Sequence, residues 1–293
     1  MDTGEHLEMR RLRWAAKEPE GDKAAQRGRG HRPSPFWRLR DEIPGKLRIG
    51  LVVISLVIPF AVWMGLYASR AVDPIFLPSP SRVAQAGWGL IKSGELVHAA
   101  GASLGRIGIG FGLAVAVSVP LGLAMGSFRS LQALFEPMIG LVRYMPATAF
   151  VPLLLVWLGL GEAPKFTLIF IGTVFFNALM TANVVWQIPP ELIKVAYTLG
   201  AHNVAVFRKV IFPHTLPGII DAARVNLAAA WNLIVVAEVL AASEGLGFRI
   251  VRAQKFLQID KIFALLIVIG IIGVTTDVLL QLARKRLAPW SEN

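Results

Sequence analysis

Long apolar runs separated by short polar stretches dominate residues 49–282, and they set the elements. The runs do not alternate as half-buried strands would. Each is long enough for the roughly 20 residues a helix needs to cross a bilayer, so the pattern predicts transmembrane helices. Six spans are predicted, at about 49–67, 103–125, 131–158, 164–186, 216–240 and 261–282. The third carries Pro137, Pro146 and Pro152 and is expected to kink, because proline removes a backbone donor and crowds the preceding turn. Residues 83–97 read as an amphipathic helix at the outer surface, and 242–259 as a second outer segment.

Between the fourth and fifth runs lies a polar, basic connection, Ile188–His214. Connections of this length usually have a task of their own. Pro189 and Pro190 end the preceding helix, and Glu191 opens a helical repeat with Leu192, Val195, Ala196 and Leu199 on one face. Gly200 stands where a helix C-terminus favours a glycine. A second amphipathic piece carries Val204, Phe207, Val210 and Ile211, and Pro213 and Pro217 bracket the return to the membrane. The residues fit a helix–turn–helix that presents a face to something outside this chain, and equally a solvated amphipathic loop.

Composition agrees with a membrane protein. The chain has 293 residues, 55% of them hydrophobic and 17% charged, and a formal net charge of +11. Residues 1–48 hold twelve Lys/Arg and eight Asp/Glu and read as a cytoplasmic, disordered tail, too long and too mixed for the basic start of a cleaved signal peptide. Its end, with Arg38, Arg40, Lys46 and Arg48, suits anionic headgroups. With six spans both termini fall on one side. The tail, the Arg129 turn, the 188–214 connection and Arg284-Lys285-Arg286 then share the cytoplasmic face, as positive charge inside requires. Arg249, Arg252 and Lys255 run against that pattern and suit an external partner or an anionic solute. The fold class is thus all-α: six transmembrane helices, N-in and C-in, with the cytoplasmic helix–turn–helix between spans 4 and 5.

No catalytic constellation is present, and no Gly-x-x-x-x-Gly-Lys-Ser/Thr loop, so the chain itself offers no P-loop for ATP. It contains no cysteine, which excludes disulfides and thiol chemistry. GRIGIGFG (105–112) resembles a phosphate loop only superficially, having no strand before it. With Gly101/Gly105, Gly108/Gly112 and Gly122/Gly126 at four-residue spacing, helix packing is its better reading. Ionisable residues inside spans are functional candidates, since each costs about 2.5–3.5 kcal/mol to insert at a helix centre. Arg143 precedes the Pro146 break, where a cavity is expected, and its guanidinium suits an oxyanion. Asn177, Asn183 and Asn232 could add donors, and Glu238 lies near the end of span 5. Asp221 and Arg224, one turn apart in span 5, can pair, and with Asp277 they read as an interhelical ion pair or as snorkelling side chains.

The 188–214 segment resembles the EAA loop of ABC importer permeases. Lys194-Val195-Ala196 stands at the Glu-Ala-Ala position, Gly200 at the glycine and Val210-Ile211-Phe212-Pro213 at the Ile-x-Leu-Pro end. Lys194 departs from the acidic residue of that pattern. LPSPSRV (77–83), RYMPATAFVPLLLVWLGLGEAPK (143–165), WNLIVVAE (231–238), GLGFRI (245–250) and RLAPW (286–290) are similar to permeases of the nitrate/sulfonate/taurine/bicarbonate group, nearest the taurine and aliphatic sulfonate members. The resemblance implies a transmembrane domain over 49–293 and a multi-pass subunit of the bacterial inner membrane. It further implies that Glu191, Lys194, Ala196, Gly200, Phe207 and Pro213 couple to an ATPase. The polar residues within the spans, Arg143, Asn177, Asn232 and Glu238, are the candidates for the solute path. A second copy, two ATP-binding subunits carrying ATP and Mg, and a periplasmic or lipid-anchored solute-binding protein would be its partners. No nucleic acid, and no metal or cofactor in this chain, is expected. An ATPase-independent secondary transporter is the alternative; it should show matching halves with interrupted helices, and no clear repeat is seen. A membrane scaffold or intramembrane enzyme would need a clustered catalytic set, which is absent.

Overall fold

The computed structural model describes Phe36 and residues 43–291. The expected tail lies mostly outside the described residues, Arg38 and Arg40 with it. By its contacts the chain divides into residues 1–65 and 66–293. The first unit contributes the start of helix α1, Gly45–Ala68, which begins four residues before the expected span and takes Lys46 and Arg48 into its first turn. It carries Pro59 and an edge-on contact of Phe60 with Trp63.

The rest is helical throughout, with no strand among the described residues: α2 Pro80–Lys92, α3 Glu95–Ser127, α4 Arg129–Val142, a 3-10 turn Ala147–Phe150, α5 Val151–Leu158, α6 Ala163–Trp186, α7 Pro190–Thr198, α8 Asn203–Val206, α9 Phe212–Ala241, α10 Leu246–Lys255 and α11 Ile259–Leu287. Among the described residues five helices are long and apolar enough to cross a membrane, and the pair α4 with Ala147–Leu158 makes a sixth span if taken as one. That pair is bent by 78°, so the third run is two helices meeting at a break rather than one kinked helix. The helix expected over 83–97 also differs from expectation. Pro80 starts α2 under a Ser79 cap, and Gly94, at φ 73°, ends its continuity before α3 opens at Glu95.

The parallel pair α3 and α6 forms the centre of the second unit. A Cβ at Gly110 would lie 2.8 Å from the carbonyl of Phe166, and one at Gly126 would lie 2.5 Å from the Cβ of Val185. Gly122 meets Ala178 and Thr181 equally closely. Small residues let these backbones touch. Gly101, Gly105, Gly108 and Gly112, which the spacing rule also marks, have open space at that position. Polar side chains cross the seam with α9: Asn177 donates to Ser118 Oγ at 2.6 Å, and Asn226 donates to Asn177 Oδ1 at 3.3 Å. Such interhelical bonds each contribute about 0.6 kcal/mol on average and up to about 1.7 kcal/mol. Leu168, Ile169, Ala230, Ile234 and Leu265 fill the apolar core. The anticipated Asp221–Arg224–Asp277 pairing is present. Arg224 grips Asp277 with two nitrogens, at 2.9 and 2.8 Å, and reaches Asp221 at 3.1 Å, while Arg284 joins Asp221 at 3.0 Å.

Candidate functional site

The break in the third run makes the site. Arg143 caps the C-terminus of α4, its N–H bonded to Ile139 O. Tyr144 and Met145 still turn with the helix, but Pro146 is extended (φ −64°, ψ 120°) and restarts the chain as a 3-10 turn. Residues before a proline are biased away from the helical region, which favours a break at this point. A cavity of about 330 Å³ opens at the bend, lined by Arg143, Tyr144, Phe175 and Phe176 on one side and by Asn232 and Leu233 of α9 on the other. The Arg143 guanidinium lies over the Tyr144 ring, 4.9 Å from its centre, and donates to the Tyr144 hydroxyl at 3.1 Å. No carboxylate pairs with it among the described residues. Asn232, also in that lining, donates to Ala228 O at 3.0 Å, which leaves its amide oxygen and second N–H unused. A cation with unused donors, an amide and aromatic walls can hold a small anion that carries an apolar part.

The four candidates for the solute path are thus divided. Arg143 and Asn232 meet at one cavity. Asn177 is fully buried in the α3–α6–α9 polar seam. Glu238 is fully buried in an ionic knot at the far end of α9.

That knot contains residues missed by sequence reasoning. Arg106 of α3 is 4% exposed and binds three carboxylate residues. Its Nε and Nη2 grip Glu162 at 2.5 and 2.9 Å, its Nη1 reaches Glu238 at 2.8 Å and the Glu244 carbonyl at 2.8 Å, and its Nη2 lies 3.4 Å from the Glu244 carboxylate. The buried Lys165 adds a 2.6 Å bond to Glu162. Glu238 also accepts from Ser103 at 2.7 Å and from the Gly247 N–H at 2.8 Å. Gly245, at φ 115°, faces the Glu238 carboxylate so closely that a side chain there would collide with it. In the turn before α6, the Arg106 guanidinium, helped by Lys165, outweighs burial and holds the Glu162 carboxyl down at about 2. Arg106 stands inside the predicted 103–125 span, so the rule that singled out Arg143 applied to it equally. Its partners, 56 to 138 residues away, were not readable.

At the opposite end of the unit, α7 ends in a full glycine cap. Gly200, at φ 79°, donates to Tyr197 O at 2.9 Å, and Ala201 donates to Ala196 O at 3.0 Å. Of the expected apolar face, only Ala196 departs. Ile193 and Ala196 pack inward on a cluster built from Leu123, Val185, Ile188, Val206, Ile211 and Ile219. Leu192, Val195 and Leu199 turn outward, 44%, 54% and 82% exposed. Glu191 and Lys194 are exposed with them, and Phe207 is half-buried. The second piece is not a separate surface helix. Asn203–Val206 passes through a π turn, Phe207–Ile211, straight into α9, with Pro213 in its first turn. Among the described residues no group of three or more His, Asp or Glu could hold a metal ion.

Residues 118–291 match the family described as binding-protein-dependent transport system inner membrane component. The chain is 37% identical over 244 residues to a probable ABC transporter permease of Brucella abortus (strain 2308), covering 83% of this chain and 96% of that one. It is 32% identical over 258 residues to the taurine transport system permease TauC of Escherichia coli (strain K12), covering 86% and 94%. In fold it is similar to a chain of the inward-facing MetNI methionine ABC transporter, with a TM-score of 0.56 at 21% identity, covering 68% of this chain and 97% of that chain.

Proposed function

Because this chain belongs to the binding-protein-dependent transport system inner membrane components, and so is an ABC transporter permease, we propose that it carries a small oxyanion of the taurine or sulfonate type in an ATP-driven importer. Nitrate and bicarbonate present the same kind of charge. The observation that carries this reading is the Arg143 guanidinium, without a carboxylate partner among the described residues, beside Asn232 at the bend in the third run. Similarity to a taurine permease over most of both chains supports the solute class.

In this reading two copies pair, two partner subunits bind ATP and Mg and hydrolyse the nucleotide, and a solute-binding protein delivers the anion. The chain lies in the bacterial inner membrane with both termini cytoplasmic. The transmembrane domain begins with α1 at Gly45. The exposed Leu192, Val195 and Leu199 dock on the ATP-binding subunit, with Glu191 and Lys194 at the rim. The inward side of α7 is anchored on α3, α6 and α9 through an apolar cluster, and the π turn runs on into α9, so a displacement of the loop moves the helix that carries Asn232. Such rigid-body coupling opens and closes the cavity on alternate faces. Gly200→Val strains the left-handed cap and should uncouple ATP hydrolysis from uptake without preventing membrane insertion. Membership of this family speaks against an ATPase-independent carrier.

The test is uptake of labelled taurine by cells or proteoliposomes holding the complete transporter. Arg143→Ala should lower uptake about tenfold or more while ATP-binding subunits still co-purify, as loss of a charge-assisted bond of about 1.5–3 kcal/mol implies. Unchanged uptake of every sulfonate, nitrate and bicarbonate tried would remove Arg143 from the path.

A further inference from the structure

Where α10 turns back into α11 a second cavity, of about 280 Å³, opens at the end of the unit that carries the ionic knot. Its walls combine Arg249 and Arg252 of α10, Lys261 and Leu265 of α11, Leu90 of α2 and Phe256 of the turn. The turn is tight: Leu257 takes a positive φ of 53°, and Gln258 donates to Ala253 O at 2.9 Å. Arg252 in the last turn of α10 and Lys261 in the first turn of α11 both line the cavity.

The charges in this cavity are unbalanced. Glu95, the acidic residue in its lining, is engaged by Arg249 at 2.8 Å. Arg252 and Lys261 have no ion-pair partner among the described residues. The nearby Asp260 carboxylate accepts the backbone N–H of Lys261 at 2.9 Å. Lys261 is half-buried and Arg252 exposed. Half-burying an unpaired ammonium is costly, and an anionic ligand would offset that cost. The neighbouring α2 marks the depth of the cavity. It is amphipathic, Trp88 is largely exposed, and the Lys92 ammonium lies 5.6 Å from the centre of the Trp88 ring, an arrangement suited to a membrane–water boundary.

We infer that this cavity is an oxyanion-binding site separate from the Arg143 cavity, with Arg252 and Lys261 holding the charge and Leu90, Phe256 and Leu265 facing an apolar portion of the ligand. A phosphate or sulfonate group meets this chemistry, whether on the headgroup of an anionic lipid at that face or in solution. The site stands on its own residues and is independent of the solute carried.

Native mass spectrometry of the full chain in detergent tests the assignment, with phosphatidylglycerol, inorganic phosphate and methanesulfonate as probes. Wild type should bind phosphatidylglycerol or one of the two soluble anions, and R252Q/K261Q should bind it at least about tenfold more weakly. K255Q, a nearby cation outside the lining, should bind as wild type does. Lipid that neither soluble anion displaces identifies a headgroup site; displacement by phosphate or methanesulfonate identifies a soluble oxyanion. Equal binding by wild type and R252Q/K261Q, or binding of none of the three probes, overturns the proposal, as does loss in the double variant of contact with a solute-binding protein alone. Should the double variant fail to accumulate, R252Q, which alters an exposed side chain, carries the same comparison with a smaller loss.

Discussion

Two arginines in predicted spans, Arg106 and Arg143, have opposite surroundings. Arg106 is buried and held by Glu162, Glu238 and Glu244, contributed by three separate stretches of chain. Arg143 is exposed at a helix break, with a tyrosine hydroxyl as its partner and a cavity in front of it. A charge in a span therefore has two uses. Where its hydrogen bonds are filled it fastens helices together, and removing it strands the carboxylates it neutralised. Where donors remain unfilled beside a cavity it is available to a ligand.

The widest separation between the two should come from stability. Arg106→Ala leaves Glu238 buried without its cation and should cost about 3–5 kcal/mol, read as a lower unfolding temperature or as failure to accumulate in the membrane. Arg143→Ala should change stability by no more than about 0.5 kcal/mol, the ordinary range for an exposed position. If the two variants lose equal stability, the distinction fails.

Transport should invert that order. A stable Arg143→Ala transporter should lose about tenfold or more of its uptake. Asn232→Ala, which removes a neutral hydrogen-bonding group from the same cavity, should lower apparent solute affinity by roughly three- to tenfold, about 0.5–1.5 kcal/mol, with the maximal rate less affected.

The smallest effect is one of pH. The Glu162 carboxyl is held down at about 2 by Arg106 and Lys165. Its ionised form is therefore stabilised in the folded chain, and that contribution is complete above the usual value of 4.5. It is lost as pH falls from 4.5 toward 2. Glu162→Gln should be less stable than wild type near neutrality, and the gap should narrow over that interval in unfolding scans. Because Glu162 is half exposed, the gap should be modest. A gap that widens on acidification would contradict the assigned pairing.

Elements that lipid dictates were legible in the residues. The apolar runs correspond to helices because a helix must cover the membrane with its own hydrogen bonds filled. Gly200 was legible as a stop because few other residues accept a left-handed backbone. Three prolines announced a disturbance in the third run, but the 78° bend depends on how Arg129–Val142 and Ala147–Leu158 pack against neighbours. The four-residue glycine rule marked Gly101, Gly105, Gly108 and Gly112 as readily as Gly122 and Gly126, yet only the latter two touch another helix of this chain closely. The outward turn of Leu192, Val195 and Leu199 was legible, since the 188–214 segment reads as presenting a face to something outside the chain; the inward packing of Ala196 was not, because it depends on the cluster around Leu123 and Val185. Arg143 and Asn232, 89 positions apart, converge only through the break and the antiparallel course of α9.

The central claim is that the chain is a permease driven through its 188–214 segment by a partner ATPase. The most direct measurement is co-purification with its ATP-binding subunits, followed by ATPase activity in lipid with and without a taurine-loaded solute-binding protein. The account predicts a stable complex whose ATP hydrolysis rises only with the loaded binding protein. Absence of any complex, with solute still transported by this chain alone, would contradict it.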